Sequence, residues 1–408
     1  MTASPQVVAL GSVTAWVSGG TPDRAVAGYW NGSIPWISAA SLKSIRIRDS
    51  DQHVTEAGLR AGSRLAPEGA TLVLVRGMAL HREVRAGIAT RPMSFNQDVK
   101  ALIPGPSILP EFLTYSLHAR APRILDLVSS AGSGTGVLDT GQLKRLQLLL
   151  PELPEQRAII SAVDDAESET ATLECLIAKR EAIKRGMMQQ LLTGKTRLPG
   201  FTTAWTRSTV GAVADVKTGP FGSTLHERDY VSRGTPIITV EHLGSRRVLG
   251  AGAPMVSDVD RRRLRAYSLA EGDIVFSRVG SIDRNARVSS REAGWLFSGR
   301  LLRVRLDRSV VDSRFMSAQF HAPAFTGAVR AVAVGQTMPS LNTSILKSIS
   351  IDLPRLDEQK AIGRIAADLD GELDRLDARL TKARSIKRGM MQQLLTGRTR
   401  LPVAGAVV

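Results

Sequence analysis

Two short strings in this sequence carry the residue types of a reactive site, and both fail on spacing. Leu125-Asp126-Leu127-Val128 followed by Gly132-Ser133-Gly134-Thr135-Gly136 is similar to the glycine-rich loop with which a methyltransferase holds its cofactor. The first glycine, however, falls six residues after the acid, later than that loop places it, and no Asn-Pro-Pro or Asp-Pro-Pro occurs anywhere. Gly194-Lys195-Thr196 ends like a phosphate-cradling P-loop, but the cradle needs a further glycine where Gln189 stands. The histidines His53, His81, His118, His226, His242 and His321 show no metal-ligand spacing, and Cys175 is the only cysteine. No close pair of carboxylates is followed by Glu-x-Lys as a nuclease would require. The chain is expected to hold no catalytic residue, metal or cofactor of its own.

The chemistry that remains is the attraction of cations for a polyanion. Lys and Arg number 54 against 38 Asp and Glu, a formal charge of +16. Placement matters more than the total: residues 1–150 carry +5, 151–200 carry −1, 201–352 carry +8 and 353–408 carry +4. Positive charge thus gathers in two large blocks. The 408 residues suffice for two to four domains. No window approaches the roughly 18 apolar residues of a membrane span. The first residues lack a secretory signal pattern, and one cysteine forms no internal disulfide, which together point to the cytoplasm.

The elements that hold these charges follow from an internal repeat. Lys184-Arg185-Gly186-Met187-Met188-Gln189-Gln190-Leu191-Leu192-Thr193-Gly194 recurs letter for letter at Lys387 to Gly397, 203 positions later. Thr196-Arg197-Leu198-Pro199 recurs at Thr399 to Pro402, and Leu153 to Ile159 matches Leu356 to Ile362 at the same offset. Upstream the agreement thins to single positions, among them Phe112 with Phe315, His118 with His321, and Lys144 with Lys347. Each unit therefore joins a variable block of about 150 residues to a nearly invariant segment of about 50, a division within the 408.

The invariant segments read as long helices. Steps of four and three from Ile159 give Val163, Ala166, Thr170, Leu173, Ile177, Arg180, Lys184, Met187 and Leu191. From Ile362 they give Ala366, Leu369, Leu373, Leu376, Leu380, Ala383, Lys387, Met390 and Leu394. Gly194 and Gly397 stop the helices, each about 37 residues or roughly 55 Å long. Matching seams in one chain can bury each other, and antiparallel pairing suits a chain that must return along its first helix. Arg180, Lys184 and Lys387 would mark the wet end of the seam or a docking site.

The variable blocks read as mixed α/β. Strands are expected over Thr71 to Val75, Ile237 to Val240, Ile274 to Ser277 and Leu301 to Arg305. Asp139 and Asn342 should cap short helices before the apolar strands Leu148 to Leu150 and Ile349 to Ile351 lead into the long helices.

These residues carry a resemblance over essentially the whole chain, to the specificity subunit of a type I restriction-modification system. That family leads into each helix with Leu-Pro-x-Leu-x-Glu-Gln-(Lys/Arg), supplied here by Leu150 to Arg157 and Leu353 to Lys360. The tail Lys-Arg-Gly-Met-Met-Gln-Gln-Leu-Leu-Thr-Gly is similarly typical. Gly272 to Gly280 resembles its mid-domain strand and loop, whereas the counterpart Gly69 to Gly77 lacks the Asp.

The resemblance implies an α+β chain: target-recognition domains at 1–150 and 201–352, a central helical spacer at 151–200 and a C-terminal helical region at 353–408, the two helices forming an antiparallel coiled coil. It implies a non-catalytic subunit whose domains each read one half of a bipartite double-stranded DNA target. Half-sites one turn apart, roughly 34–36 Å, would suit such a spacer. The partners implied are two modification subunits carrying S-adenosylmethionine, which methylate adenine, and restriction subunits that cleave.

DNA contacts are expected where Arg, Lys, Asn or Gln can reach phosphates or base edges. In the first domain these are Arg76, Arg82, Arg85 and Arg91, with Ser133 and Thr135. In the second they are Arg278, Ser281, Arg284, Asn285 and Arg287, with Gln336 and Thr337, and the run Arg261-Arg262-Arg263 as a phosphate clamp. Helix pairing and partner docking are expected of Leu173, Ile177, Arg180, Lys184, Met187 and Leu191, and of Leu373, Leu376, Leu380, Lys387, Met390 and Leu394. The competing expectation is a coiled-coil interaction scaffold with no DNA specificity.

Overall fold

A computed structural model describes residues 5–132, 134–220, 224–332 and 340–401. The chain divides into two compact units, Met1–Glu174 with Arg379–Val408, and Cys175–Ala378. Each contains one variable block and half of each long helix, Leu153–Leu191 and Leu356–Leu395.

In the first unit the block is closed by its own ends: strand Gln6–Ala9 pairs antiparallel with Gln147–Leu150, directly before the helix. Between them lies a five-stranded sheet in the order Thr14–Ser18, Val99–Pro104, Thr71–Leu74, Ala86–Ala89, Arg46–Ile47. A smaller sheet is built around Trp30–Ile37 and Met93–Phe95. Strand Thr71–Leu74 is buried on both faces, which explains its unbroken apolar run. Helix Pro110–Ala119 covers the larger sheet with Phe112, Leu113 and Tyr115. The same core takes Ile159 and Val163 from the first long helix and Met391, Leu394 and Leu395 from the end of the second. Each fully buried side chain of this size contributes about 2 kcal/mol.

The second unit repeats the plan. Thr206–Thr209 pairs with Ser350–Leu353, and a four-stranded sheet runs Ala214–Thr218, Leu301–Leu306, Ile274–Ser277, Asn285–Arg287. Its core joins Phe276, Leu302, Phe315 and Phe320 to Met188, Leu191 and Leu192 from the first long helix and Ile362 and Ala366 from the second. In both units the residue numbers rise along one helix as they fall along its neighbour, so the helices pair antiparallel.

The capping residues act as their types dictate. Asp139 accepts from the Gln142 amide at 2.8 Å and Asn342 from the Ile345 amide at 2.8 Å. Both long helices end in a left-handed glycine, Gly194 at φ 67° and Gly397 at φ 73°, and run 39 and 40 residues. The strand expected over Ile237 to Val240 lies two residues earlier, at Thr235–Ile238, because Thr239 bonds with His242 to start the turn Val240–His242.

One expectation about the seam is corrected. Leu173, Leu191, Leu373, Leu376, Leu380 and Leu394 are buried and Ile177 and Met390 half-buried, but Met187 is 40% exposed while Met188 is 7% exposed. A strict seven-residue count slips against the 3.6-residue turn, so the buried stripe moves on by one position. Arg180, Lys184 and Lys387 are held by charge. Each reaches across to a carboxylate: Arg180 to Glu372 at 3.0 Å, Lys184 to Asp370, and Lys387 to Glu167 at 2.5 Å.

The lead-in motifs acquire a physical role. Gln156 accepts from the Leu109 amide at 2.9 Å and donates to the carbonyls of Ser107 and Pro151, both at 2.8 Å. Gln359 does the same with Asp312, Val310 and Pro354. The buried Glu155 is held by two bonds from Arg400, both 2.5 Å, and the buried Glu358 by two from Arg197, both 2.7 Å. The tail of each repeat thus locks the helix lead-in of the other.

The two glycine caps differ in one respect. A Cβ on Gly397 would overlap Leu149 Cδ2, whereas at Gly194 its nearest contact is Trp205 at 3.5 Å. Gly194→Ala should therefore cost only the left-handed backbone penalty, about 1 kcal/mol, and Gly397→Ala about 2 kcal/mol or more. Thermal unfolding of the two variants should rank them in that order.

Candidate nucleic-acid interface

In the first unit, the sheet places one cluster of sequence-predicted residues at a single end. Strand Thr71–Leu74 leads into Arg76, which bridges Val137 on the hairpin Val128–Ser130/Gly136–Leu138. The Gly77 amide donates to the Gly136 carbonyl at 2.9 Å, and His81 bonds the Gly134 carbonyl at 2.9 Å. Arg76, Arg82 and Thr135 are thereby brought together, with both arginines exposed. Arg85 stands at the same end, since Ala86 lies opposite Val73, but its guanidinium is engaged with the Ala39 carbonyl at 2.9 Å and with Glu83 at 2.7 Å. Arg91 is at the other end of that strand, paired with Asp49 at 2.9 Å, and does not join the cluster. Ser133 lies outside the described residues.

Sequence reasoning overlooked a loop at this same end. Lys100 lies opposite Ser18 on one side and Val73 on the other, and its ammonium donates to the Ser18 hydroxyl at 2.8 Å. The chain then leaves the sheet through Gly19-Gly20-Thr21. Thr21 donates to the Gln97 side chain at 2.6 Å, and Arg24 stacks over Trp30 and Trp36 at 5.1 and 5.4 Å. The pair of glycines was the available signal: a Cβ on Gly19 would overlap the Phe95 and Asn96 carbonyls.

The second unit has the equivalent end. Arg278 follows strand Ile274–Ser277, donates its amide to the Arg300 carbonyl at 2.9 Å and accepts from the Leu341 amide at 2.8 Å. Ser281 and Arg284 are exposed in the following turn, where the Arg284 guanidinium donates to the Leu243 carbonyl. Gln336 and Thr337 lie outside the described residues. Two predicted contacts are corrected. Asn285 is 1% exposed, because it faces into the sheet opposite Phe276 and donates to the Asp283 carbonyl at 3.2 Å. Arg287 pairs with Ile274, at the opposite end of the strand, and donates to Ser313 Oγ at 2.9 Å.

The basic run occupies the end of helix Asp258–Arg263. There cations compensate the helix dipole. Arg261 approaches Asp258 at 3.5 Å, and Arg263 binds Asp260 at 2.8 Å and the Thr224 carbonyl at 2.6 Å. Arg263, with help from the Ser257 hydroxyl, holds the Asp260 carboxyl below its usual range. Arg262 is exposed and carries no ion pair to another described residue. Among the described residues, no group of three or more His, Cys, Asp or Glu is placed to hold a metal ion, and no helix is long and apolar enough to cross a membrane.

Each block is also clamped to the helices of its own unit. In the first, the Tyr115 hydroxyl donates to Asp164, which also takes Arg46 at 3.0 Å; burial and then this bond push the Tyr115 hydroxyl pKa up. In the second, Arg246 contacts Glu181 at 3.4 Å, Asp374 at 3.3 Å and Asp377. Burial opposes its charge, but Asp377 and Asp374 hold the guanidinium above its ordinary value.

Comparison with known proteins gives a consistent result. The family described as Type I restriction modification DNA specificity domain matches residues 5–184 and 203–383. The chain is 29% identical over 166 residues to the EcoR124I/EcoR124II specificity subunit of Escherichia coli, covering 40% of this chain and 41% of that one. It is 21% identical over 314 residues to the MjaVIII specificity subunit of Methanocaldococcus jannaschii, covering 71% and 70%. The matched stretch is thus about two-fifths of the length of the first relative. Among solved structures, the type I restriction-modification S subunit from M. genitalium superposes with a TM-score of 0.61 at 13% identity, covering 96% of both chains. A structure of a type I R-M system assembly matches with a TM-score of 0.59 at 14% identity, covering 97% and 98%.

Arg246 is the testable element of the second clamp. Arg246→Met leaves three carboxylates facing one another, and since those remain partly wet the cost should be about 2 kcal/mol. Hydrogen exchange should quicken in the segment around 240–250 while helical circular dichroism stays unchanged.

Proposed function

The chain belongs to the type I restriction-modification DNA specificity family, with two copies of the domain in tandem, and from that premise we propose that it is the DNA-reading subunit of a type I complex, with no chemistry of its own. The blocks 1–150 and 201–352 each read one half of a bipartite duplex target. The segments 151–200 and 353–408 fix the separation of those halves and dock two modification subunits. S-adenosylmethionine enters with those subunits, which methylate adenine, and restriction subunits complete the assembly.

The observation that carries this reading is the contrast between frame and loops. Both units have the same closure strands, the same glutamine and glutamate locks and the same strand-to-loop exit, yet the exits present Arg76, Arg82 and Thr135 in one and Arg278, Ser281 and Arg284 in the other. A shared frame with different polar tips suits two readers of different sequence. Arg262 and the tip arginines supply phosphate and base contacts.

Docking of two identical partners is supported by a second pair of features. Gly186 and Gly389 lie inside helices with nothing within 4 Å of an added Cβ, although each costs about 1 kcal/mol relative to alanine. Beside them Ile183 and Met187, and Ile386, are exposed apolar side chains at corresponding places of the two copies. A close-approaching partner helix accounts for both glycine and apolar exposure.

Three outcomes are expected. DNA affinity of the assembled complex should fall by orders of magnitude between about 50 and 200 mM salt, whereas a scaffold without DNA specificity would show no such fall. Replacing residues 201–352 with the block of another such subunit should change one half of the methylated site and leave the other, read by methylome sequencing. Ile183→Asp combined with Ile386→Asp should abolish co-purification of the modification subunits without altering thermal unfolding of the chain alone.

A further inference from the structure

The second unit has a cleft of about 550 Å³. It opens at the opposite end of strand Ile274–Ser277 from the Arg278 loop, where the strand, the start of helix Ser313–His321 and the first turns of helix Leu356–Leu395 converge. Five cations line it: Arg287, Arg308, Arg314, Lys360 and Arg364. Against them stand two acids. Asp312 is already spent as the cap of its helix, accepting from the amides of Arg314 and Phe315 at 2.9 and 3.0 Å, and Glu271 is half exposed, 3.7 Å from Arg287.

The cations are also poorly compensated. Arg287 is the most enclosed, and burial followed by the neighbouring charge of Arg314 depresses its guanidinium pKa. Its Nε is fixed to Ser313 Oγ at 2.9 Å, which leaves that hydroxyl proton free to donate into the cleft. The helix beginning at Ser313 adds its positive end to the same space.

The first unit shows that the frame does not require this charge. Register and repeat offset place Ile88, Gly105, Glu111 and Ser161 where Arg287, Arg308, Arg314 and Arg364 stand, and Glu111 approaches Arg46 at 3.4 Å. Of the five positions only that of Lys360 keeps a cation, Arg157, and the neighbouring Arg46, beside Ile88, is taken up by Glu111 and Asp164. A feature needed by a partner that docks twice would appear twice.

We propose that this cleft is an anion site, present once per chain, that takes a compact multivalent phosphate ligand between Arg287 and Arg314 on one wall and Lys360 and Arg364 on the other. Phosphate fits better than a carboxylate: a single negative charge leaves the two neighbouring guanidinium groups repelling, while a di- or trianion neutralises both and offers each a pair of oxygens. DNA contacted by the Arg278 loop lies at the other end of the strand. The site stands independently of the DNA-reading proposal, because its occupancy is measured without DNA.

Isothermal titration of the full chain with inorganic phosphate, pyrophosphate and tripolyphosphate at low salt tests it. One equivalent should bind, more tightly as phosphates are added. Arg287→Gln with Arg314→Gln should weaken pyrophosphate by about tenfold or more, and Arg76→Gln with Arg278→Gln should not. If the first pair unfolds the unit, Lys360→Gln with Arg364→Gln, on an exposed helix face, should give the same loss. No binding up to about 5 mM, several equivalent sites, or affinity unchanged in these variants would overturn the proposal. So would displacement of pyrophosphate by duplex DNA, which would assign the cleft to the nucleic-acid backbone.

Discussion

The antiparallel pairing of the two long helices is the constraint on which the rest of the structure depends. Neither helix has a partner within its own repeat: Met188, Leu191 and Leu192 sit in the core beneath the second block, and Met391, Leu394 and Leu395 in the core beneath the first. Each block therefore completes its core only with the tail of the other repeat. The buried glutamates sharpen this. Glu155 and Glu358 cost free energy to bury and are matched by Arg400 and Arg197, so any slipped register leaves a carboxylate in the interior without its partner. Leucines alone would tolerate a slip of one heptad; the glutamate locks do not.

This accounts for the letter-for-letter survival of the tail. A change in Arg197 or Gly397 disturbs not its own repeat but the other, and the matching segment must satisfy the same geometry in reverse. The loops at the strand ends escape that bond. Arg76 and Arg278 leave homologous strands, and in the first unit the chain beyond Arg76 bonds the hairpin Val128–Ser130/Gly136–Leu138.

Much of this frame was legible in the residues, because helix caps, heptad steps and apolar strands are local signals. Asp139, Asn342, Gly194 and Gly397 each do what their types dictate within four residues of chain. The site was less legible, since membership depends on which end of a strand a residue occupies. Arg91 and Arg287 are close in sequence to the loops but are carried to the far end by one antiparallel crossing. Asn285 has the chemistry to read adenine, yet its register opposite Phe276 buries it, and a polar letter in a short strand does not announce which face it takes. The Met187 for Met188 exchange has another origin, the slow drift between a seven-residue count and the helical turn. The role of Glu155 was invisible because Arg400 lies 245 positions away.

The clamps between block and helix carry the argument a step further. Tyr115, Asp164 and Arg46 fasten the first block, and their counterparts at the repeat offset include Ala318 and Ala367, which form no such bond. The second block is fastened instead by Arg246 against three carboxylates. The same mechanical task is thus met by unrelated residues in the two units. A loosely seated block would let its loops wander by more than the few tenths of an ångström that a bidentate base contact tolerates. What must be preserved between the two halves is accordingly the seating and not the residues that achieve it, which is why block sequences can diverge so far while the ends of the helices, Lys184 to Gly194 and Lys387 to Gly397, stay the same.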